Sequence, residues 1–309
     1  VTVKNLLCMS TGVFFNEAAT VLEEDWVRAF LESDCAFQPG TDFAYNSLNT
    51  YLLSAVIKRK TGQGLLQFLT PRLLEPLGIP SPEWCQCPKG IEKGGWGLSM
   101  TLQDIAKLGQ LYLQRGIWQV EGQRVRLLPE WWVKEATKKQ MDTIDPPVGY
   151  GYQMWMFPLP GAYQFNGIFG QYVVVLPQQD MVVALLGGNE TLLPTGGVVD
   201  LIAQTFGPCV GPAAPIARDN KGYQSLKSTL QGLTLGKRSP TYPSLPLWSR
   251  LAKRIRPTSA HPTAASAPPP SLFALNGKTF ALDRPNTAGM VPLVQQCVRN
   301  SFTSGIEYI

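Results

Sequence analysis

Gln171-Tyr172-Val173-Val174-Val175-Leu176-Pro177-Gln178-Gln179-Asp180-Met181-Val182-Val183-Ala184-Leu185-Leu186 is the stretch that decides the fold. Two apolar runs rich in β-branched residues flank a Pro-Gln-Gln-Asp connection, which predicts two strands joined by a short turn. From Tyr172 to Leu176 both faces of the first strand are apolar. A sheet with one wet face would alternate, so helices are expected to cover this one on both sides. Upstream, Tyr150 to Trp155 and Ala162-Tyr163-Gln164-Phe165 read as two more strands, starting where the period changes at Gly149. Downstream, Val198 to Phe206 reads as a covering helix.

The first half of the chain is helical in pattern. Residues 16–33 suggest a helix with Asn16 as cap and a stripe through Leu22, Trp26 and Phe30. Ser47 opens a nearly all-round apolar helix, stopped by Gly62 where a left-handed cap is required. A second helix runs from Leu65 to Leu74, with Pro71 to kink or restart it, and residues 79–97 read as loop. Thr101-Leu102-Gln103-Asp104 is a shortened capping box, and Ile105, Leu108, Leu111 and Tyr112 form that helix's inner face up to Gly116. A hairpin at Glu121-Gly122 and a helix from Pro129 follow.

Helices first, then an antiparallel meander closed by a helix, make an α+β domain with one main core over residues 1–206. Residues 207–270 read as a Pro/Ser/Ala-rich linker holding one short helix, Tyr223 to Leu230, and a stiff Pro268-Pro269-Pro270 spacer. Residues 271–309 alternate as strands with Asn276-Gly277 as a hairpin turn, which is expected to be the start of a truncated C-terminal β domain.

Composition removes several function classes. With 44% hydrophobic and 16% charged residues among 309, the chain can bury a large core. No apolar stretch approaches the roughly 18 residues of a spanning helix. Val1-Thr2-Val3-Lys4 has neither an initiator Met nor a signal-peptide pattern, so the chain is expected to be a piece of something longer. The net charge of +5 owes much to Lys237, Arg238, Arg250, Lys253, Arg254 and Arg256. Set among prolines and serines without interleaved aromatics, they read as a solvated linker, and nucleic acid is not an expected partner.

Six cysteines are scattered except for Cys85-Gln86-Cys87, whose spacing does not match a zinc knuckle, so free thiols and no metal are expected. The single histidine, His261, lies in the linker, which removes Ser-His-Asp and Cys-His catalysis from the domain. Acid–base work is left to carboxylates, lysine or tyrosine.

Tyr45 is the leading candidate. It sits in Pro39-Gly40-Thr41-Asp42-Phe43-Ala44-Tyr45-Asn46-Ser47, a turn that feeds a helix, with a small polar residue two positions on. Read alone, Tyr45 also fits a buried structural tyrosine, Asn46 and Ser47 fit helix caps, and Asn166-Gly167 fits a turn. Trp96 and Trp155 read as core or cleft wall.

Several segments together resemble the β-lactamase-related serine hydrolases, which include class C β-lactamases, D-alanyl-D-alanine carboxypeptidases, D-aminopeptidases and esterases. They are Val1 to Gly12, Pro39 to Ser47, Glu75-Pro76-Leu77-Gly78, Gly94-Gly95-Trp96-Gly97 with Asp104 to Gly109, Gly149-Tyr150-Gly151-Tyr152, and Gly167 to Gln171. Each piece alone is weak; their order over about residues 1–206 carries the match.

The resemblance implies an acyl-enzyme mechanism on an ester or amide, without cofactor or metal, and an extracytoplasmic location. Tyr45 would be the general base serving a Ser-x-x-Lys serine, its ordinary pKa of about 10 brought into range by a nearby ammonium. Asn46 and Ser47 would contact substrate, Asn166 would offer its amide, and the N–H of Ile168 after Gly167 would form half of an oxyanion hole.

Two departures narrow this expectation. Ser-x-x-Lys occurs nowhere in the 309 residues, so the chain alone is expected to be inactive. Where β-lactamases carry Lys-Thr-Gly stands Phe165-Asn166-Gly167, with no cation for a substrate carboxylate, which favours a neutral ester or amide over a penicillin or D-Ala-D-Ala. A non-catalytic relative that binds ligands in the same cleft is the alternative.

Overall fold

A computed structural model describes residues 1–13, 23–80, 82–143, 148–188, 197–209 and 219–232. Asn16, the Pro268–Pro270 spacer, the Asn276-Gly277 turn and the strands expected over 271–309 lie outside the described residues. The chain divides into a unit that takes in Val1–Gly211 and a second one, Pro212–Thr279.

Eight helices are numbered here along the described chain. They are α1 (Val3–Leu7), α2 (Trp26–Glu32), α3 (Ser47–Thr61), α4 (Leu65–Leu69), α5 (Leu102–Leu113), α6 (Glu130–Ala136), α7 (Val198–Phe206) and α8 (Asn220–Gly232). The strands are β1 (Glu83–Trp84), β2 (Leu98–Ser99), β3 (Ile117–Val120), β4 (Gln123–Arg126), β5 (Trp155–Met156), β6 (Tyr163–Gly167), β7 (Gln171–Leu176) and β8 (Met181–Leu186). This is the α+β arrangement expected from the sequence.

The main sheet has the order β5-β6-β7-β8, antiparallel throughout. Strands β7 and β8 have the predicted bounds, paired from Gln171↔Leu186 to Leu176↔Met181. One 3-10 turn, Pro177–Gln179, joins them, with Asp180 in the left-handed region at φ 49°. Strand β7 is covered on both sides, as its composition requires. Tyr172, Val174 and Leu176 pack with Ile202 of α7, while Val175 packs with Tyr112 and Leu113 of α5 on the opposite face.

Helix α1 is not expected from the sequence; the other helices form where predicted, with differences at their ends. Gly62 closes α3 at φ 73°. After Leu69, α4 widens into one π-helical turn, Thr70–Leu74, which accommodates Pro71. Of the helix predicted over 16–33, residues 16–22 lie outside the described residues; α2 opens at Trp26, where Asp25 caps it by accepting the Arg28 N–H at 3.1 Å, and residues 23–25 are not helical. Pro129 precedes α6 as its cap residue instead of lying in its first turn. The loop expected over 79–97 contains β1, which pairs with β2.

The strand predicted from Tyr150 to Trp155 is the largest local departure. Only Trp155 and Met156 join the ladder, because Gln153 takes a left-handed φ of 60°. There its backbone N–H donates to Leu7 O at 2.9 Å and its Nε2 to Leu6 O and Leu7 O at 3.1 Å each. Its Oε1 accepts from the Thr50 hydroxyl, so one side chain ties the sheet region to α1 and α3.

A helical core sits around α3, where Leu48, Tyr51 and Leu52 pack with Leu6, Trp26 and Phe30. Each such side chain contributes roughly 1.5–3 kcal/mol on burial. The Gly94-Gly95 pair runs directly against the first turns of α3. A Cβ on Gly94 would stand 2.5 Å from Thr50 O, and one on Gly95 2.6 Å from Ser47 O. Side chains there would push the loop off the end of α3 that carries Ser47.

Thr101 and Asp104 form the shortened capping box at α5. The Thr101 hydroxyl accepts the Asp104 N–H at 3.2 Å and donates to Asp104 Oδ2 at 2.7 Å. That bond, with help from Lys107, holds the Asp104 carboxyl below the ordinary carboxylate range. A carboxyl depressed in the folded state stabilises the fold above its unfolded pKa and loses that contribution as pH falls through the folded value. Asp104→Asn is therefore expected to lower Tm at neutral pH and to match the parent in acid, as thermal melts across pH would show.

Candidate active site

The segment that presents Tyr45 is laced to the residues after α1. Met9, in the left-handed region at φ 55°, accepts the Ala44 N–H at 2.9 Å, and Ser10 O accepts the Gly40 N–H at 2.7 Å. Thr11 donates to the fully buried Asn49 of α3 at 2.8 Å, and Asn49 donates to the Met9 sulfur at 3.3 Å. Through these bonds Met9, Ser10 and Thr11, in the Val1 to Gly12 landmark, fix the approach to α3.

Tyr45 itself is 49% exposed, which sets aside the buried structural tyrosine. Its ring stacks on Trp155 at 5.8 Å and 21°, and meets Tyr150 edge-on at 6.2 Å. Phe43 completes the cluster, 5.1 Å from Tyr150 and 5.5 Å from Trp155. Tyr150 is only 2% exposed, and burial, with a smaller contribution from Tyr45 and Cys8, pushes its phenol well above the ordinary value. Of the two phenols, Tyr150 is locked neutral and Tyr45 reaches solvent.

Asn46 and Ser47 divide their roles. Asn46 is the buried N-cap of α3, its Oδ1 accepting the Leu48 N–H at 2.9 Å and its Nδ2 donating to Val13 O at 3.5 Å. The side chain is thus engaged as the helix cap, one of the two readings the sequence left open. Ser47 is the first helical residue and is half-buried. Asn46→Ala is expected to cost about 1 kcal/mol through the lost cap, seen as a lower denaturation midpoint.

The second group lies at the far end of β6. Asn166 pairs with Tyr172 and Gly167 with Gln171. Ile168 opens the three-residue turn to β7, completed by Phe169 at φ 61° and Gly170 at φ 93°. Trp155 links the two groups: its ring stacks on Tyr45, and its backbone pairs with Gln164, two residues before Asn166. Phe165, standing where the resemblance places a lysine, packs edge-on to Tyr112 at 5.5 Å in an apolar cluster.

Trp155 is legible as core or cleft wall, but its partners Phe43, Tyr45 and Tyr150 and the Gln153 clasp escape sequence reading. Their partners lie about a hundred residues apart in the chain, and a left-handed glutamine leaves no local signal.

A sequence profile of the family described as Beta-lactamase matches residues 1–189, more than half of the chain. The chain belongs to the beta-lactamase family. No curated protein matches it. Solved structures of this fold do, at low identity. An octameric penicillin-binding protein homologue from Pyrococcus abyssi aligns with TM-score 0.54 and 19% identity over 68% of this chain and 56% of that one. A protein designated a 6-aminohexanoate-dimer hydrolase, from Bacillus anthracis, aligns with TM-score 0.53 and 23% identity over 63% and 57%. A beta-lactamase from Mycobacterium bovis aligns with TM-score 0.50 and 17% identity over 66% and 74%. The chain thus spans little more than half the length of the first two. In this beta-lactamase family member the Tyr45 segment and the β6–β7 turn hold the candidate residues Tyr45, Asn46, Ser47, Asn166, Gly167 and Ile168.

Proposed function

We propose that this chain forms one wall of an acyl-enzyme hydrolase site that acts on a neutral ester or amide. Tyr45 takes the part of general base, Ser47 contacts the substrate, and the Asn166 amide and the Ile168 N–H flank the reacting carbonyl. The observation that carries this reading is the state of Tyr45: half-exposed, held flat on Trp155, and preceding a capped helix that fixes its position. A neutral substrate is supported by Phe165, which fills with an aromatic cluster the position where a cation would hold a carboxylate.

No Ser-x-x-Lys occurs in these residues, so the nucleophile is not supplied by them. A fluorophosphonate probe is expected to leave the 309-residue chain unlabelled. Translated with its upstream coding sequence, the protein should label at one serine of a Ser-x-x-Lys. Labelling of the 309-residue chain itself, or an upstream sequence without that serine, would sink the reading.

A further inference from the structure

The second unit carries a charge balance unlike the rest of the chain. Between Pro212 and Thr279 ten lysines and arginines stand against the single acid Asp219, a net of +9, while the whole chain is +5 and the remainder therefore −4. Helix α8 is the described part of this unit. Asp219 caps it, accepting the Gly222 N–H at 2.8 Å, and its thirteen residues include no Asp or Glu.

Its apolar residues form a stripe. Tyr223, Leu226 and Leu230 follow i, i+3, i+7 spacing, which gathers them on one face, and they are 60%, 56% and 56% exposed. Lys227 flanks the stripe, and its long stem can lie along it while the ammonium reaches outward. A basic helix with an exposed apolar face suits the boundary between lipid headgroups and acyl chains: leucines enter the apolar layer and lysines meet anionic headgroups. Nucleic acid would satisfy the charge and offer nothing to Leu226 and Leu230.

We propose that α8 docks this protein on an anionic lipid surface, with Tyr223, Leu226 and Leu230 inserted at the interface and Lys221 and Lys227 among the headgroups. Each cation near such a surface strengthens binding about five-fold, so the unit's excess positive charge is sufficient to make association depend on anionic lipid.

The test is co-sedimentation of the full chain with vesicles of phosphatidylcholine alone and of phosphatidylcholine mixed with phosphatidylserine. Sedimentation only with the mixed vesicles is expected, reduced at least ten-fold in affinity by Leu226→Gln/Leu230→Gln and, separately, by Lys221→Gln/Lys227→Gln. The soluble headgroup glycerophosphoserine should not compete. Three results would overturn the proposal: no binding to mixed vesicles, binding unaffected by the leucine changes, or displacement from vesicles by duplex DNA or RNA that binds the leucine variant equally well. Because α8 buries no residue, the Tm of the hydrolase unit should be the same in every variant, which keeps misfolding out of the comparison.

Discussion

Tyr45→Phe is expected to lower turnover by about 10²–10⁴-fold, the usual span for removing a general base, while leaving Tm nearly unchanged. The measurement belongs in a form of the protein that carries the family's Ser-x-x-Lys segment, since these 309 residues contain none. Phenylalanine keeps the ring that stacks on Trp155 and meets Tyr150, so the shelf stays filled. Only the hydroxyl is removed. A structural role for that hydroxyl would appear as a drop in stability with a modest loss of rate; a catalytic role reverses the pattern. Fluorophosphonate labelling should slow with turnover, because the base acts on the serine before acyl transfer. Labelling at the parent rate would remove Tyr45 from the chemistry. Tyr150→Phe is the matching control: its phenol is buried and held protonated, so its loss should leave the rate within a few-fold of the parent.

The parts of this molecule that sequence discloses are those with local causes. Strands β7 and β8 are legible because an apolar run longer than any one-faced strand permits has few other solutions, and their bounds follow from Pro177 and Asp180. The α3 boundaries are legible for the same reason: Asn46 and Gly62 are the residues that a helix start and a left-handed stop call for. What stayed hidden depends on distant partners. Gln153 reads as a strand residue until Leu6, Leu7 and Thr50 are brought beside it, and these compel a left-handed backbone that no neighbouring residue announces. Tyr45 lay between the two cases. Its motif was visible, but the choice between buried and exposed tyrosine turned on Trp155, 110 positions away, coming to lie beneath its ring.

Gly109→Leu is expected to destabilise the Val1–Gly211 unit by about 3 kcal/mol or more, because at this residue α5 lies directly against the sheet. A Cβ at this position would stand 2.6 Å from Val173 Cγ1 and 2.7 Å from Val182 Cγ1. Two effects oppose each other in the smaller change, Gly109→Ala. Alanine in a helix interior is favoured over glycine by about 1 kcal/mol, whereas overpacking a filled core costs about 1–3 kcal/mol. Both contacts are with β-branched side chains on paired strands, whose χ1 is stiff and whose backbones are fixed in the ladder, so the clash should win narrowly for alanine and decisively for leucine. Val182→Ala opens space on β8 and should restore part of the Gly109→Ala loss, giving a favourable coupling in a double-mutant cycle measured by urea unfolding. Additive effects would mean that α5 can shift away from the sheet at little cost. The cycle also bears on the site, since β7, one of the two strands α5 packs against, pairs with β6, which carries Asn166 and leads into Ile168. A helix displaced by leucine would press on the strand next to the proposed oxyanion donor, so in a form of the protein that carries the Ser-x-x-Lys segment the Leu variant should lose labelling by fluorophosphonate at temperatures where it remains folded.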